Sequence, residues 1–168
     1  MAIVVSRYNA SITTRLLAGA VEVLRASPAG MRERFVVIDA PGAFELPVLA
    51  HVAAASGRFD GVLALGCIIK GQTIHDRVIA DAIAHGLIQV SLAHAVPCAF
   101  GVLTVNTPAQ AAARAGGRLG NKGAEAMEAL LMTIAAAQAI RSSTDRVPAW
   151  LASYVRRDKA ASARRTTS

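Results

Sequence analysis

Residues 61–94, GVLALGCIIKGQTIHDRVIADAIAHGLIQVSLAH, decide the fold of this chain. They begin with an aliphatic run at residues 61–65, bounded by Gly57 and Gly66, which is typical of a buried strand. A polar segment follows, and residues 74–94 then have the spacing of a helix. Its predicted apolar side consists of Ile74, Val78, Ala82, Leu87 and Val90. A buried strand followed by a long helix indicates one βα unit of a parallel sheet.

The same alternation extends to both sides of this unit. Further strands are predicted at residues 3–6, 35–38 and 98–104, and further helices at about residues 11–26, 44–55 and 122–140. A short helix can begin at Pro108, and the glycines at 116, 117 and 120 interrupt it. Right-handed crossovers between these strands predict an α/β protein. We expect a flavodoxin-like three-layer sandwich, in which helices flank a four-stranded parallel sheet.

The composition indicates one domain followed by a basic tail. The chain has 168 residues, enough to bury a core. Of its net charge of +7, residues 141–168 contribute seven basic and two acidic side chains. We therefore predict a domain at residues 1–140 and a mobile tail at 141–168; alternatively, Trp150 and Tyr154 dock on the domain or on a neighbour. Because the basic excess lies in the tail, nucleic acid is not expected as a partner.

The cysteines and the N-terminus favour a cytoplasmic protein. Cys67 and Cys98 lie in apolar stretches without the spacing of a zinc site, which indicates a reducing compartment. The N-terminus runs straight into an apolar strand and has no signal-peptide pattern. No stretch approaches the roughly 18 apolar residues of a membrane span. No set of histidines and carboxylates has metal-ligand spacing, so no metal is expected.

Candidate site residues follow the predicted strands, because ligands of open parallel sheets bind outside the carboxyl ends of the strands. Three distinctive segments fall there: residues 7–9, 41–45 and 66–75. Tyr8 offers a ring for stacking on a heterocycle, but it is about as readily a surface tyrosine that caps the core. Glu45 can bind a polyol, but a carboxylate in the first turn of a helix is favoured by the helix dipole in any case.

The segment KGQT at residues 70–73 opens the long helix. Exposed amides at a helix N-terminus, together with the Thr73 hydroxyl, suit a phosphate, although the segment is not a Walker loop and is a weak signal alone. His75 follows, and an imidazole both gives and takes protons at neutral pH. A lone helical histidine is more often structural, which is the interpretation for His51, His85 and His94.

A basic cluster of Arg114, Arg118 and Lys122 lies among glycines between two predicted helices. Such a cluster is usually a solvated face. Here no nearby acidic residue is expected to balance it, which favours an anion site. Arg114 and Lys122 are therefore candidate phosphate ligands.

Five segments together resemble the lumazine synthase family over about residues 3–140. They are RYNASITTRLLAGA from Arg7, PGAFELP from Pro41, LGCIIKGQTIHD from Leu65, FGVLT from Phe100 and RAGGRLGNKGAEA from Arg114. Each is modest alone, but five in order with family-like spacing are highly specific. The resemblance implies the penultimate step of riboflavin biosynthesis, in which 5-amino-6-(D-ribitylamino)uracil condenses with 3,4-dihydroxy-2-butanone 4-phosphate to 6,7-dimethyl-8-ribityllumazine. It implies no cofactor, and a homo-pentamer whose further assembly into a capsid stays open.

The resemblance also implies roles for single residues. Tyr8 would stack on the pyrimidine. The ribityl pocket would be lined by Ala43, Phe44 and Glu45, and backbone hydrogen bonds to the heterocycle would come from Cys67, Ile68 and Ile69. The phosphate would be bound by Gln72 and Thr73 and opposed by Arg114, while His75 would transfer protons. Phe100 and Arg114 would come from the adjacent subunit.

Three other functions compete with this one. A non-catalytic relative would bind lumazine or flavin, but it would have no need to retain His75, Thr73 and Arg114 together. An unrelated flavodoxin-like module for a flavin phosphate would leave Glu45 and Phe100 unexplained. An assembly that binds nucleic acid or cargo would rest on the basic tail alone.

Overall fold

A parallel sheet forms the centre of the fold. The computed structural model describes residues 1–27 and 35–142, and the chain divides into two units, Met1–Leu130 and Leu131–Ser168. The four strands of the first unit are β1 (Ala2–Ser6), β2 (Val36–Ala40), β3 (Val62–Ile69) and β4 (Cys98–Val105). They pair in the order β2-β1-β3-β4, all in parallel. The predicted α/β fold with a four-stranded parallel sheet is confirmed.

Five described helices flank the sheet. They are α1 (Ala10–Ala26), α2 (Leu46–Ala55), α3 (His75–His94), α4 (Pro108–Arg114) and α5 (Lys122–Arg141), of which α5 begins in the first unit and continues into the second. Between α4 and α5 a small antiparallel ladder joins β5 (Ala115–Gly117) to β6 (Gly120–Asn121). From the sequence, the glycines of this segment predict only an end to the short helix that begins at Pro108. Its turn needs Gly120, whose φ of 79° is in the left-handed region.

Alternation along the strands separates two apolar faces. On one face, Val4 and Ala64 pack with residues of α2 and α3 in a common core that includes Leu46 and Leu87. On the other face α1 contacts β1 and β3. The first turn of α5 lies on that second face too, because a methyl group at Gly101 would meet both Leu65 and Ala126. The result is the predicted three-layer arrangement.

Two details differ from the sequence analysis. Helix α3 buries Ile83, Leu87 and Val90, whereas Ile74 and Val78 of the predicted apolar side are 71% and 56% exposed. Strand β3 also runs four residues further than predicted, to Ile69. Gly66 does not end it, because the missing side chain lets Leu46 and Val102 close over the strand, at 3.2 and 3.3 Å from where a Cβ would stand.

Trp150, Tyr154 and nearly all of the tail lie outside the described residues. Across residues 1–27 and 35–142, no helix has the length and apolarity to cross a bilayer. The same residues contain no group of three or more histidine, cysteine or acidic side chains arranged for a metal ion.

Candidate active site

Strands β1 and β3 end at different heights in the sheet, and this difference creates one edge of the candidate site. β1 pairs with β3 only as far as Val5 and Leu65, and the chain then turns into α1. β3 continues to Ile69 and stays paired with β4 over its whole length. The last four residues of β3 therefore keep one backbone edge that no strand covers.

The uncovered edge presents the backbone groups of Cys67 and Ile69. The N–H and C=O of one residue in a strand point to the same side, and successive residues alternate. Even-numbered residues face β4, since the amides of Val62 and Lys70 donate to Pro97 and Val105 on that side. The odd-numbered residues face the space beyond β1. Ile68 contributes its side chain to the site, and its backbone groups belong to the β4 ladder.

Asn9 fixes this edge, and the sequence analysis gave it no role. Its Nδ2 donates to the carbonyl of Cys67 at 2.8 Å. Its backbone has a φ of 59°, a left-handed conformation in which asparagine is enriched among the non-glycine residues. Its position directly after Tyr8, at a strand-to-helix turn, is the sequence signal that could have marked it.

A cavity of about 550 Å³ opens beside this edge at the carboxyl ends of the strands. Nine of the predicted residues line it: Tyr8, Ala43, Phe44, Glu45, Cys67, Ile68, Ile69, Thr73 and His75. It also includes five that were not predicted to bind: Asn9, Gly42, Gly71, Asp76 and Ile79. Tyr8 and Phe44 are 72% and 61% exposed, so their rings are accessible to a ligand. The three segments that follow β1, β2 and β3 thus meet in one place, as expected.

Glu45 stands at the N-cap of α2, with a helical backbone and no capping hydrogen bond from its side chain. The carboxylate folds over the loop before the helix, where a Cβ on Gly42 would lie 2.8 Å from its Oε2. Since the carboxylate is not used as a cap, its oxygens can accept hydrogen bonds from a ligand. The helix dipole favours a carboxylate at this position whether or not a ligand is bound.

The N-terminus of α3 forms another wall of the cavity. Thr73 accepts a hydrogen bond through Oγ1 from the backbone N–H of His75, at 3.4 Å, and its hydroxyl proton is still available to an anion. His75 is the first residue of the helix and is exposed. The N-terminus of a 20-residue helix carries partial positive charge, which favours an anion there. Phosphate and a proton-transfer group can therefore be held side by side.

The expectation of an unbalanced basic cluster is wrong. Arg114 donates to the carboxylate of Glu125 at 2.9 Å and to the carbonyl of Leu119 at 2.7 Å, and Lys122 lies 3.5 Å from the same carboxylate. Burial acts to raise the pKa of Glu125, but the hydrogen bond and charge of Arg114 and the charge of Lys122 outweigh it, so the pKa is lowered. The i,i+3 spacing of Lys122 and Glu125 was the overlooked signal.

Four predicted ligands are not among the residues that line the cavity: Gln72, Phe100, Arg114 and Lys122. Gln72 is exposed in the loop before α3. Phe100 lies on the edge strand β4 and is 38% exposed. No lysine or arginine contributes to the cavity lining in the described part of the chain.

Cys67 is expected to be chemically inert although it lines the cavity. Burial raises the pKa of its thiol from 9.0 to about 11, so the thiolate fraction at pH 8 is about 100-fold below that of an unfolded cysteine. We expect alkylation of Cys67 by iodoacetamide at pH 8 to be at least about 100-fold slower in the native protein than in urea. The rate should rise as the pH approaches 11. Peptide mass spectrometry measures this, and equal native and denatured rates would contradict it.

The comparison with known protein families agrees with this geometry. The sequence model of the 6,7-dimethyl-8-ribityllumazine synthase family matches residues 1–138 of this chain. The match covers the whole sheet, the loops that form the cavity and the segment that carries Arg114. This chain belongs to the 6,7-dimethyl-8-ribityllumazine synthase family.

Proposed function

We propose that this chain condenses 5-amino-6-(D-ribitylamino)uracil with 3,4-dihydroxy-2-butanone 4-phosphate, giving 6,7-dimethyl-8-ribityllumazine, inorganic phosphate and water. The proposal rests on family membership and on one observation. A single cavity combines exposed rings, a carboxylate that makes no capping hydrogen bond, a strand edge that no other strand covers and a helix N-terminus that begins with His75. The two free cysteines are compatible with action in the cytoplasm.

Each part of the cavity suits one part of the substrates. The pyrimidine stacks on Tyr8 and hydrogen-bonds to the backbone edge at Cys67 and Ile69. The ribityl hydroxyls donate to the carboxylate of Glu45. The phosphate binds at the α3 N-terminus beside Thr73. This arrangement brings the substrate amine next to the ketone, which converts an encounter in solution into a reaction within one complex.

The chemistry requires proton transfers and no protein nucleophile. The substrate amine adds to the ketone and loses water to form an imine between the two substrates. Phosphate then leaves, and ring closure with loss of a second water completes the product. His75 moves the protons of these steps, since it lies next to the phosphate site and opens to the cavity.

A direct assay tests the proposal. Purified protein is mixed with both substrates, and lumazine absorbance and released phosphate are followed against a control without protein. Saturable formation of lumazine, with one phosphate released per product, supports the proposal. Tight binding of lumazine without any rate above the control would favour the non-catalytic relative. Neither turnover nor binding would mean that the cavity recognises a different ligand.

The site is proposed to be completed by a neighbouring subunit in a homo-pentamer. A phosphate in the cavity of one chain meets no lysine or arginine among the described lining residues. Large apolar side chains also remain exposed on the outer surfaces of α2 and α3: Val48, Val52, Ile88 and Leu92. Exposed apolar patches of this kind mark interaction surfaces. We propose that Phe100 and Arg114 of one chain reach the cavity of the next.

Replacing Arg114 by alanine should raise the KM for the butanone phosphate by about 10–100-fold, because a charge-assisted contact contributes about 1.5–3 kcal/mol. The KM for the uracil substrate should change little. Steady-state kinetics with each substrate varied in turn measures the difference. Arg118→Ala is the matched control, since it removes a charge from the same segment. Equal effects of the two substitutions would place the anion elsewhere.

Mixing two variants tests whether the site is shared. His75→Ala and Arg114→Ala chains, dissociated together and reassembled, form some sites with both native residues only if the residues come from different subunits. At a butanone phosphate concentration well below the KM of Arg114→Ala, activity above that of either variant alone supports the shared site. No recovery, with mixed assembly verified by mass, would place both residues in one chain's site.

A further inference from the structure

Two histidines that the proposed reaction does not use meet at the far end of the α2–α3 pair. The helices pack on each other, and close contact is made possible by Gly86, where a Cβ would come within 2.8 Å of the Pro47 Cβ. His51 of α2 and His94, the last residue of α3, lie beyond this contact. A 20-residue helix is about 30 Å long, so the pair is well separated from His75 and the cavity.

The two imidazoles are close enough to share a ligand. Nε2 of His94 lies 3.1 Å from Nδ1 of His51, the ring centroids are 4.7 Å apart and the ring planes meet at 63°. Zinc–imidazole bonds are about 2.0–2.1 Å long, so two of them at a tetrahedral or right angle separate their nitrogens by about 2.8–3.4 Å. We propose that His51 and His94 together bind one divalent transition-metal ion of the zinc or copper class.

A change of tautomer permits this without loss of a proton. In the hydrogen-bonded pair, one ring carries its proton between the two nitrogens and the other accepts it. If that proton moves to the far nitrogen of its own ring, both facing nitrogens have a free lone pair. A small rotation of each ring then directs both lone pairs to one ion. Both imidazoles stay neutral, as metal ligands must be.

The surroundings favour a cation with open coordination positions. His94 ends α3, and the C-terminus of a helix carries partial negative charge, which favours a cation. His51 is exposed and His94 is half-buried, so water can supply the remaining ligands. No third histidine, cysteine or acidic residue joins the pair within the described ranges. The site is therefore a two-imidazole clamp between the helices, suited to imidazole-binding metals such as zinc and copper.

The test uses the full chain without an affinity tag. Zinc binding is measured by calorimetry, and Cu²⁺ binding by electron paramagnetic resonance, which counts the coordinated nitrogens. We expect one tight equivalent per chain with two nitrogen ligands. His51→Gln and His94→Gln should each weaken binding by at least about tenfold, since losing even an outer-shell partner costs about 10–100-fold.

His85→Gln is the matched control. His85 lies on the same helix and is exposed, but its Nδ1 hydrogen-bonds to the carbonyl of Asp81, so its loss should leave the tight equivalent unchanged. Circular dichroism verifies that each variant is folded, and the two single substitutions test the pair independently. The proposal is overturned if His51→Gln and His94→Gln both leave the metal affinity intact, or if His85→Gln weakens it equally. It is also overturned if electron paramagnetic resonance finds one coordinated nitrogen. None of these readouts depends on lumazine formation.

Discussion

Replacing His75 by alanine should lower kcat by about 10²–10⁴-fold, the usual contribution of a positioned acid–base group. The KM of each substrate should stay within a few fold, because the ligand-binding parts of the cavity are other residues. In the proposed complex, the phosphate meets Thr73 and the amides of the α3 N-terminus, and the heterocycle meets the edge of β3. Removing the imidazole therefore removes proton transfer and leaves the binding surface in place.

The measurement is steady-state kinetics with lumazine absorbance as the readout. His85→Ala is the control, since that histidine lies on the same helix away from the cavity and should have native kcat. Imine formation also proceeds without a catalyst, so the rate of lumazine formation without protein is subtracted. A His75→Ala variant with native kcat would assign the proton transfers to another group, for example Asp76, which follows His75 in sequence and also lines the cavity. A rise in KM with native kcat would make His75 a binding residue.

Replacing Gly123 by alanine should destabilise the fold by about 3 kcal/mol, at the upper end of the range for overpacking. Gly123 is the second residue of α5 and rests on α1, where an added Cβ would collide with the carbonyl oxygen of Leu16 and lie 2.7 Å from its carbonyl carbon. The neighbour is backbone, so no side-chain rotation relieves the clash. Asn121 holds the same junction, donating to the carbonyl of Arg15 at 2.8 Å and accepting from the amide of Gly123 at 2.9 Å.

Urea unfolding at one fixed protomer concentration measures this loss, since self-association would otherwise change the midpoint. Gly71→Ala is the matched control because a Cβ there would meet nothing within 4 Å. It should leave stability unchanged or raise it by up to about 1 kcal/mol through the unfolded state. Equal urea midpoints for the two variants would mean that α1 and α5 move apart without loss of stability. A changed slope would report a change in the surface exposed on unfolding.

Most of the sheet could be predicted because each strand has a sufficient local signal. The aliphatic runs at β1, β3 and β4 are short and bounded, and a long amphipathic pattern follows β1. The end of β3 could not be located in the same way. Gly66 looks like a terminator in sequence, and only the close approach of Leu46 and Val102 makes glycine useful within the strand. Segments that sequence assigns to a loop are thus part of the sheet.

The same limit applies to the site. Loops after three neighbouring strands had to meet, and the cavity contains nine of the predicted residues. Ion pairs between side chains were harder to predict, because they depend on distances that are set only in the folded chain. Arg114 meets Glu125 across the β5–β6 ladder, so charge counted along the sequence overstated the free charge. The predicted apolar side of helix α3 is wrong for a related reason, since contacts with α2 and the sheet determine which of its residues are buried.

The unequal lengths of β1 and β3 have a consequence for evolution and redesign. The groups offered by residues 67 and 69 on the uncovered edge are main-chain amides and carbonyls, which every amino acid except proline supplies. Exchanging either side chain, except for proline, therefore leaves the donor and acceptor pattern of this edge in place. The side chain of Ile68, which lies between them and lines the cavity, contributes to the shape of the pocket. Conservative aliphatic substitutions of Ile68 should therefore alter ligand preference more often than they abolish binding.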